Sequence, residues 1–182
     1  TDNGVTWQVA DGTVNWTYAW APTADGVYQL RSRVVTLDGQ LEVASAGNAV
    51  TIDSSLPTTS GVLTGDETWS NTVQITGDIT VPVGTTLTVE PGTTIQFQAL
   101  SDDQGGGSES SRPELIVEGD LVALGTQAAP IVLTSNAASP AAGDWGGIHQ
   151  NGGDVSLAYT TVQYSTVGLE YSAEGGVITS VS

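Results

Sequence analysis

The chain has no cysteine, no methionine and no lysine, and it has a single histidine and a single phenylalanine. Without cysteine there is no disulfide, no thiolate nucleophile and no thiolate metal site. His149, alone, is poor material for zinc, which takes three or four protein nitrogen, sulfur or oxygen ligands. Three arginines, Arg31, Arg33 and Arg112, stand against 20 acids, for a net charge of −17. That balance excludes nucleic-acid binding, which needs a basic footprint on the protein. An anionic membrane surface or a polyanion is also repelled unless cations intervene. No run approaches the ~20 apolar residues that cross a bilayer, so no membrane insertion is expected. The opening "TDNGVTWQVADG" has neither the basic start nor the apolar stretch of a secretion leader.

What the chain does contain is Val, Ile, Leu, Ala, Thr and Ser around 23 glycines. β-branched side chains suit pleated surfaces, and glycine opens the tight turns between them. No stretch keeps a helical period. The expected class is all-β.

Two patterns divide the sequence. Over residues 1–56, "VNWTYAW" sets Val14, Trp16, Tyr18 and Trp20 on one strand face, since side chains two apart share a side. That aromatic row is expected to be core. "GVYQLRSRVV" and "NAVTID" read as further strands, and Asp11-Gly12, Asp25-Gly26 and Asp38-Gly39 as turns. Residues 57–62 form a polar connector. From 63 to 182, "VQITGDITV", "LTVEPGTTIQF" and "LIVEGDLVAL" each place two alternating strands about a glycine, at Gly77, Gly92 and Gly119. Short strands in a quasi-repeat of roughly 20–25 residues are the mark of a solenoid, in which each coil buries its face on its neighbours. The inward rows expected are Val73, Ile75, Ile79, Val81, Leu87, Val89, Ile95, Phe97, Leu115, Val117, Leu121, Ile131 and Leu133.

The "W…W-x-Y-x-W", "DG-x-Y-x-L-R-x-R" and terminal "V-T-I-D-x-x-x-P" marks of the first segment resemble the later strands of bacterial immunoglobulin-like domains. An immunoglobulin-like sandwich takes ~100 residues, so the opening strands are expected to come from a longer protein or another chain. "GTTLTVEPGTTIQF…ELIVEGDLVALGTQAAPIVLTS…GDWGGI" resembles the start of a right-handed parallel β-helix of the pectate-lyase-like superfamily. More narrowly, it is similar to the "W-G-G-I" versions in bacterial secreted and surface proteins. The resemblance implies a partial immunoglobulin-like sandwich followed by a right-handed parallel β-helix. It also implies an extracellular or cell-surface location.

Candidate chemistry concentrates in "GDWGGIHQNGGD". Ile148 is expected inward, which sends His149 outward by strand alternation to an exposed, inert position. Trp145 is expected to lid the interior or pack on the next coil. Lyases of the resembled fold need a basic residue beside a carboxylate-bound cation, and this segment offers only Arg112. Hydrolases need an acid and a base flanking the bond; here Asp144 and Asp154 are the acidic pair, without the hydrolases' Asn-Asp, Asp-Asp and Gly-His-Gly marks. No catalytic residues are assigned. In the insertion 101–112, Asp102, Asp103 and Glu109 are candidate calcium ligands, since calcium takes six to eight oxygens, although a solvated loop explains them as well. Tyr159, Tyr164 and Tyr171 fit either an internal ladder or, with Trp145, a surface for glycan contact.

The function expected is a non-catalytic extracellular structural module, a surface or filament subunit or a piece of a long adhesin. Its partners would be copies of itself or neighbouring domains, joined through open β ends. The alternative is a polysaccharide-binding or polysaccharide-cleaving β-helix protein.

Overall fold

The computed structural model describes residues 6–22, 24–53, 56–171 and 178–179. It divides into two units, Thr1–Leu56 and Pro57–Ser182. Among its described residues the first contains one antiparallel pair, β1 (Gly26–Leu30) and β2 (Asn48–Ile52), in the register Gly26 to Ile52 through Leu30 to Asn48. Single bridges join Asp11 to Thr17 and Val35 to Leu41. Gly12 and Gly39 turn with positive φ after their aspartates, as Asp-Gly turns require. The aromatic row is not core, contrary to expectation. Val14 is exposed, and Trp16 and Tyr18 are 54% and 48% exposed. Alternation sorts side chains by face, but a face is buried only if another sheet lies on it. Trp20 instead packs edge-on to Tyr28 at 5.0 Å, and Arg33 lies 4.1 Å above the Trp7 ring.

The second unit is a parallel β-helix. Its strands are β3 (Gly61–Val62), β4 (Glu67–Trp69), β5 (Thr72–Ile75), β6 (Ile79–Val81), β7 (Thr86–Val89), β8 (Thr94–Phe97), β9 (Glu114–Val117), β10 (Asp120–Leu124), β11 (Ile131–Ser135), β12 (Gly147–Gln150), β13 (Asp154–Ala158), β14 (Thr160–Val162), β15 (Leu169–Tyr171) and β16 (Ile178–Thr179). Every third strand pairs, so three parallel sheets rise together. The first is β3-β6-β9-β12-β15, the second β4-β7-β10-β13-β16 and the third β5-β8-β11-β14. β3 lies within the stretch expected as connector, and Gly61 pairs with Ile79. The first coil therefore begins there.

Strict pairing stacks like on like. Val73 sits on Ile95, Ile79 on Leu115, Leu115 on Ile148, and Leu87 on Leu121 and then Val155. All thirteen residues expected inward are buried, joined by Leu63, Trp69, Ala123, Trp145, Ile148, Val155 and Leu157. Each fully buried aliphatic contributes roughly 1.5–3 kcal/mol, which is how strands of two to five residues cohere. The column through Phe97 departs from the aliphatic rule, as the buried Gln150 on Val117 does in the first sheet. Ser135 pairs above Phe97, and its small side chain leaves space that the Trp145 indole fills, stacked on Phe97 at 3.9 Å and 3°.

The corners are unequal. Between the third and first sheets the chain passes through 76–78, 98–113, 136–146 and 163–168, and the two long connections both leave at this edge.

Candidate functional site

The outer face of the first sheet carries one residue per coil in register: Thr80, Ile116, His149 and Glu170. Alternation produces this column, because Ile79, Leu115 and Ile148 of the same strands point inward. The connection 98–113 folds beside it. Together they form a groove of about 440 Å³ lined by Thr80, Gly107, Ser108, Glu114, Ile116, Glu118, His149 and Gln150, with Asn151, Glu170 and Tyr171 at its far end.

Glu114 is the floor. It opens β9 facing outward and is nevertheless fully buried, covered by the loop. Its Oε2 accepts a hydrogen bond from Ser108 N at 2.6 Å, and its own N–H donates to Asp78 Oδ1 at 2.8 Å. Glycines at 107 and 146 make this cover possible, because a Cβ at either would overlap the Glu114 carboxylate or its stem. Asp78 in turn donates its N–H to Asp102 Oδ1 at 3.0 Å. Burial, with the nearby Asp102 and Glu114 charges, pushes the Asp78 carboxyl up to about 6 against the hydrogen bond from Glu114 N.

His149 does face outward, but it is neither exposed nor isolated, which corrects the sequence expectation. Its Nδ1 lies 2.8 Å from Glu170 Oε2. Its Nε2 lies 3.0 Å from Glu114 Oε1, in contact but outside hydrogen-bond geometry, and both atoms are buried. The imidazole thus fills the space between a buried carboxylate and an exposed one.

Of the calcium candidates, Asp102 and Asp103 share Gln104 as a donor, while Glu109 is held by Arg112. Asp102 Oδ1 also accepts from Gln104 N at 3.0 Å. Asp103 accepts from Ser60 Oγ, from Thr76 Oγ1 at 2.7 Å and from Gln104 Nε2 at 3.2 Å, and these bonds hold its carboxyl below the usual range. Glu109 pairs with Arg112 at 2.7 Å. Among the described residues no group of three His, Asp or Glu is arranged to hold a metal ion.

Trp145 does not belong among glycan contacts. It is fully buried, and its Nε1 donates to Gln163 O at 2.9 Å. Asp144 is buried beside it and accepts from Ser135 Oγ at 2.6 Å and Ala141 N at 3.0 Å, which lowers its pKa. Asp144 serves the corner, while Asp154 begins β13 on the second sheet, so the two do not share the groove. The tyrosines are all exposed, which removes the internal ladder. Tyr159 lies between β13 and β14, Tyr164 follows β14, and only Tyr171 reaches the groove.

Glu114, Glu118, Glu170 and Asp78 were not singled out from sequence. The outward period "E-L-I-V-E" at 114–118 was visible, but its alignment with His149 depends on a register that the long loops hide.

With this geometry in place, residues 59–174 match the family model described as a pectate-lyase like beta helix domain. No curated protein and no solved structure matches the chain.

Proposed function

Because the chain belongs to the pectate-lyase-like β-helix domain family, we propose that it is a non-catalytic glycan-binding module of an extracellular protein, with the groove on the first sheet as its binding surface. The observation that carries this reading is the His149 imidazole lodged between Glu114 and Glu170 in an open groove. A glycosidase keeps two carboxyl groups apart with the glycosidic bond between them, and here a side chain stands in that space. A lyase needs a base beside a cation. Arg112, the one basic residue of this unit besides His149, donates from Nε to Gly143 O at 2.6 Å and from Nη1 to Glu109, and it does not line the groove. Sugar binding asks less: a concave surface, acceptors for hydroxyl donors and an amphipathic ring. Glu118, Glu170 and Tyr171 are placed to supply these.

The test is a panel of linear oligosaccharides titrated calorimetrically against the whole chain, alongside assays for new reducing and unsaturated ends. Saturable binding without new chain ends is the expected result. Cleavage abolished by Glu114→Gln would overturn the non-catalytic part.

A second reading concerns the first unit, whose Val14, Trp16 and Tyr18 are uncovered. This supports an immunoglobulin-like sandwich completed by strands from elsewhere in a longer protein or from a second copy. Light scattering and electron microscopy of the chain distinguish regular association from a stable monomer, which would count against completion by a second copy.

A further inference from the structure

The corner from β12 to β13 holds the sequence Asn151-Gly152 on an open turn. We propose that this pair is a self-modification site, which converts without an enzyme into aspartate and isoaspartate. The proposal goes beyond the glycan-binding reading and does not depend on it.

Asparagine before glycine is open to this chemistry because no side chain on the following residue bars its backbone nitrogen from the amide carbon. The Gly152 nitrogen gives its proton to solvent base and bonds to Asn151 Cγ. The Cγ–Nδ2 bond breaks, and that nitrogen takes a proton from water and leaves as ammonia. Water then opens the cyclic imide. Opening at Cγ yields aspartate, whereas opening at the Asn151 main-chain carbonyl yields isoaspartate, whose backbone runs through Cβ and Cγ. Water is the only co-reactant.

The reacting atoms are accessible. Asn151 and Gly152 are both exposed. Among the described residues the Gly152 N–H has no hydrogen-bond acceptor. Beyond its chain neighbours no atom lies within 4 Å of where a Cβ on Gly152 would stand. Asn151 Nδ2 makes a long contact to Glu118 Oε1, at 3.4 Å. Asn136 is the contrast. Its Oδ1 accepts from Ala99 N at 3.1 Å, and the next N–H, that of Ala137, is taken by Ser135 Oγ at 3.1 Å. The corner is also built to register the change. Asn151 N donates to Val117 O at 2.7 Å, and Gly153 lies so close to the coil below that a Cβ there would strike Gly119 O. Isoaspartate adds a backbone atom between those two anchors. Either product sets a carboxylate against Glu118 where an amide donor stood, and like charges at that range repel.

The experiment holds the whole folded chain in warm, mildly alkaline buffer without denaturant and follows each asparagine peptide by mass spectrometry. Conversion is read as the gain of about one dalton that accompanies exchange of an amide for a carboxyl. Isoaspartate is read separately with an isoaspartate-specific methyltransferase. The chain's other Asn-Gly pair, Asn3-Gly4, is followed in the same digests as a reference. The Asn151 peptide is expected to convert about tenfold faster than the Asn136 peptide, the order of one hydrogen bond. Asn151→Gln keeps an amide but closes a less favourable ring, and is expected to abolish conversion at that position. The isoaspartate fraction, separated by anion exchange, is expected to melt below freshly purified Asn151→Asp, since only the former carries the longer backbone. Conversion at Asn151 no faster than at Asn136, or only after unfolding in urea, would overturn the proposal. Equal melting of the isoaspartate fraction and Asn151→Asp would overturn the role given to the corner's two anchors.

Discussion

Asp78 is a carboxylate kept where its charge is costly. Burial, together with Asp102 and Glu114, raises its pKa from the ordinary 3.8 to about 6, so between those values the folded chain holds a proton that the unfolded chain releases. Stability must then fall as pH rises through that window, and above it the native state carries the whole penalty, ~1–3 kcal/mol. Asp78→Asn keeps an oxygen for the Glu114 N–H and removes the charge. It should therefore stabilise the chain by that amount at about pH 8 and leave it unchanged near pH 4, as denaturant melts at the two pH values would measure. At this scale the sequence was partly legible. Strand alternation correctly sent Ile148 inward and His149 outward. It could not place Glu114 and Glu170 against the imidazole, because those residues meet only through coil-to-coil pairing, so His149 was expected to be exposed.

At the scale of elements, the coils hold because their corners stack as closely as their strands. A Cβ at Gly153 would fall on the Gly119 carbonyl of the coil below. Gly153→Ala should cost ~1–3 kcal/mol through forced backbone movement. Gly168→Ala meets open space and should stay within about 0.5 kcal/mol; paired thermal melts decide. The thirteen inward residues were legible because the period of two survives in strands as short as "ITV". The repeat length was not. Ile79 pairs with Leu115 while Ile148 pairs with Leu169, so one coil includes a long excursion and the other does not. A uniform 20–25 residues blurred that difference. Trp145, which the sequence offers as a lid, as packing on the next coil or as a glycan contact, is core because Ser135 leaves it room.

Across the whole molecule, a net charge of −17 on 182 residues loads the folded state with self-repulsion that salt relieves. Raising sodium chloride from about 0.02 to 1 M shortens the screening length severalfold. The melting temperature should rise over that range with an unchanged β spectrum by circular dichroism, whereas a fall would mean that attractive pairs such as Glu109 with Arg112 dominate. Composition disclosed the all-β class readily. It did not disclose whether the aromatic row over 14–20 would be covered, because covering needs a partner surface that no local pattern encodes.

One edge of the β-helix carries both long connections, 98–113 and 136–146, while the columns beneath keep their pairing. Length at that edge is uncoupled from the pairing of the strands. Residues 138–140 are exposed, so insertions and deletions there ask neither the buried Trp145 nor any stacked strand residue to change, and heritable variation in length can accumulate at one corner while the register of the coils stays fixed by its own geometry.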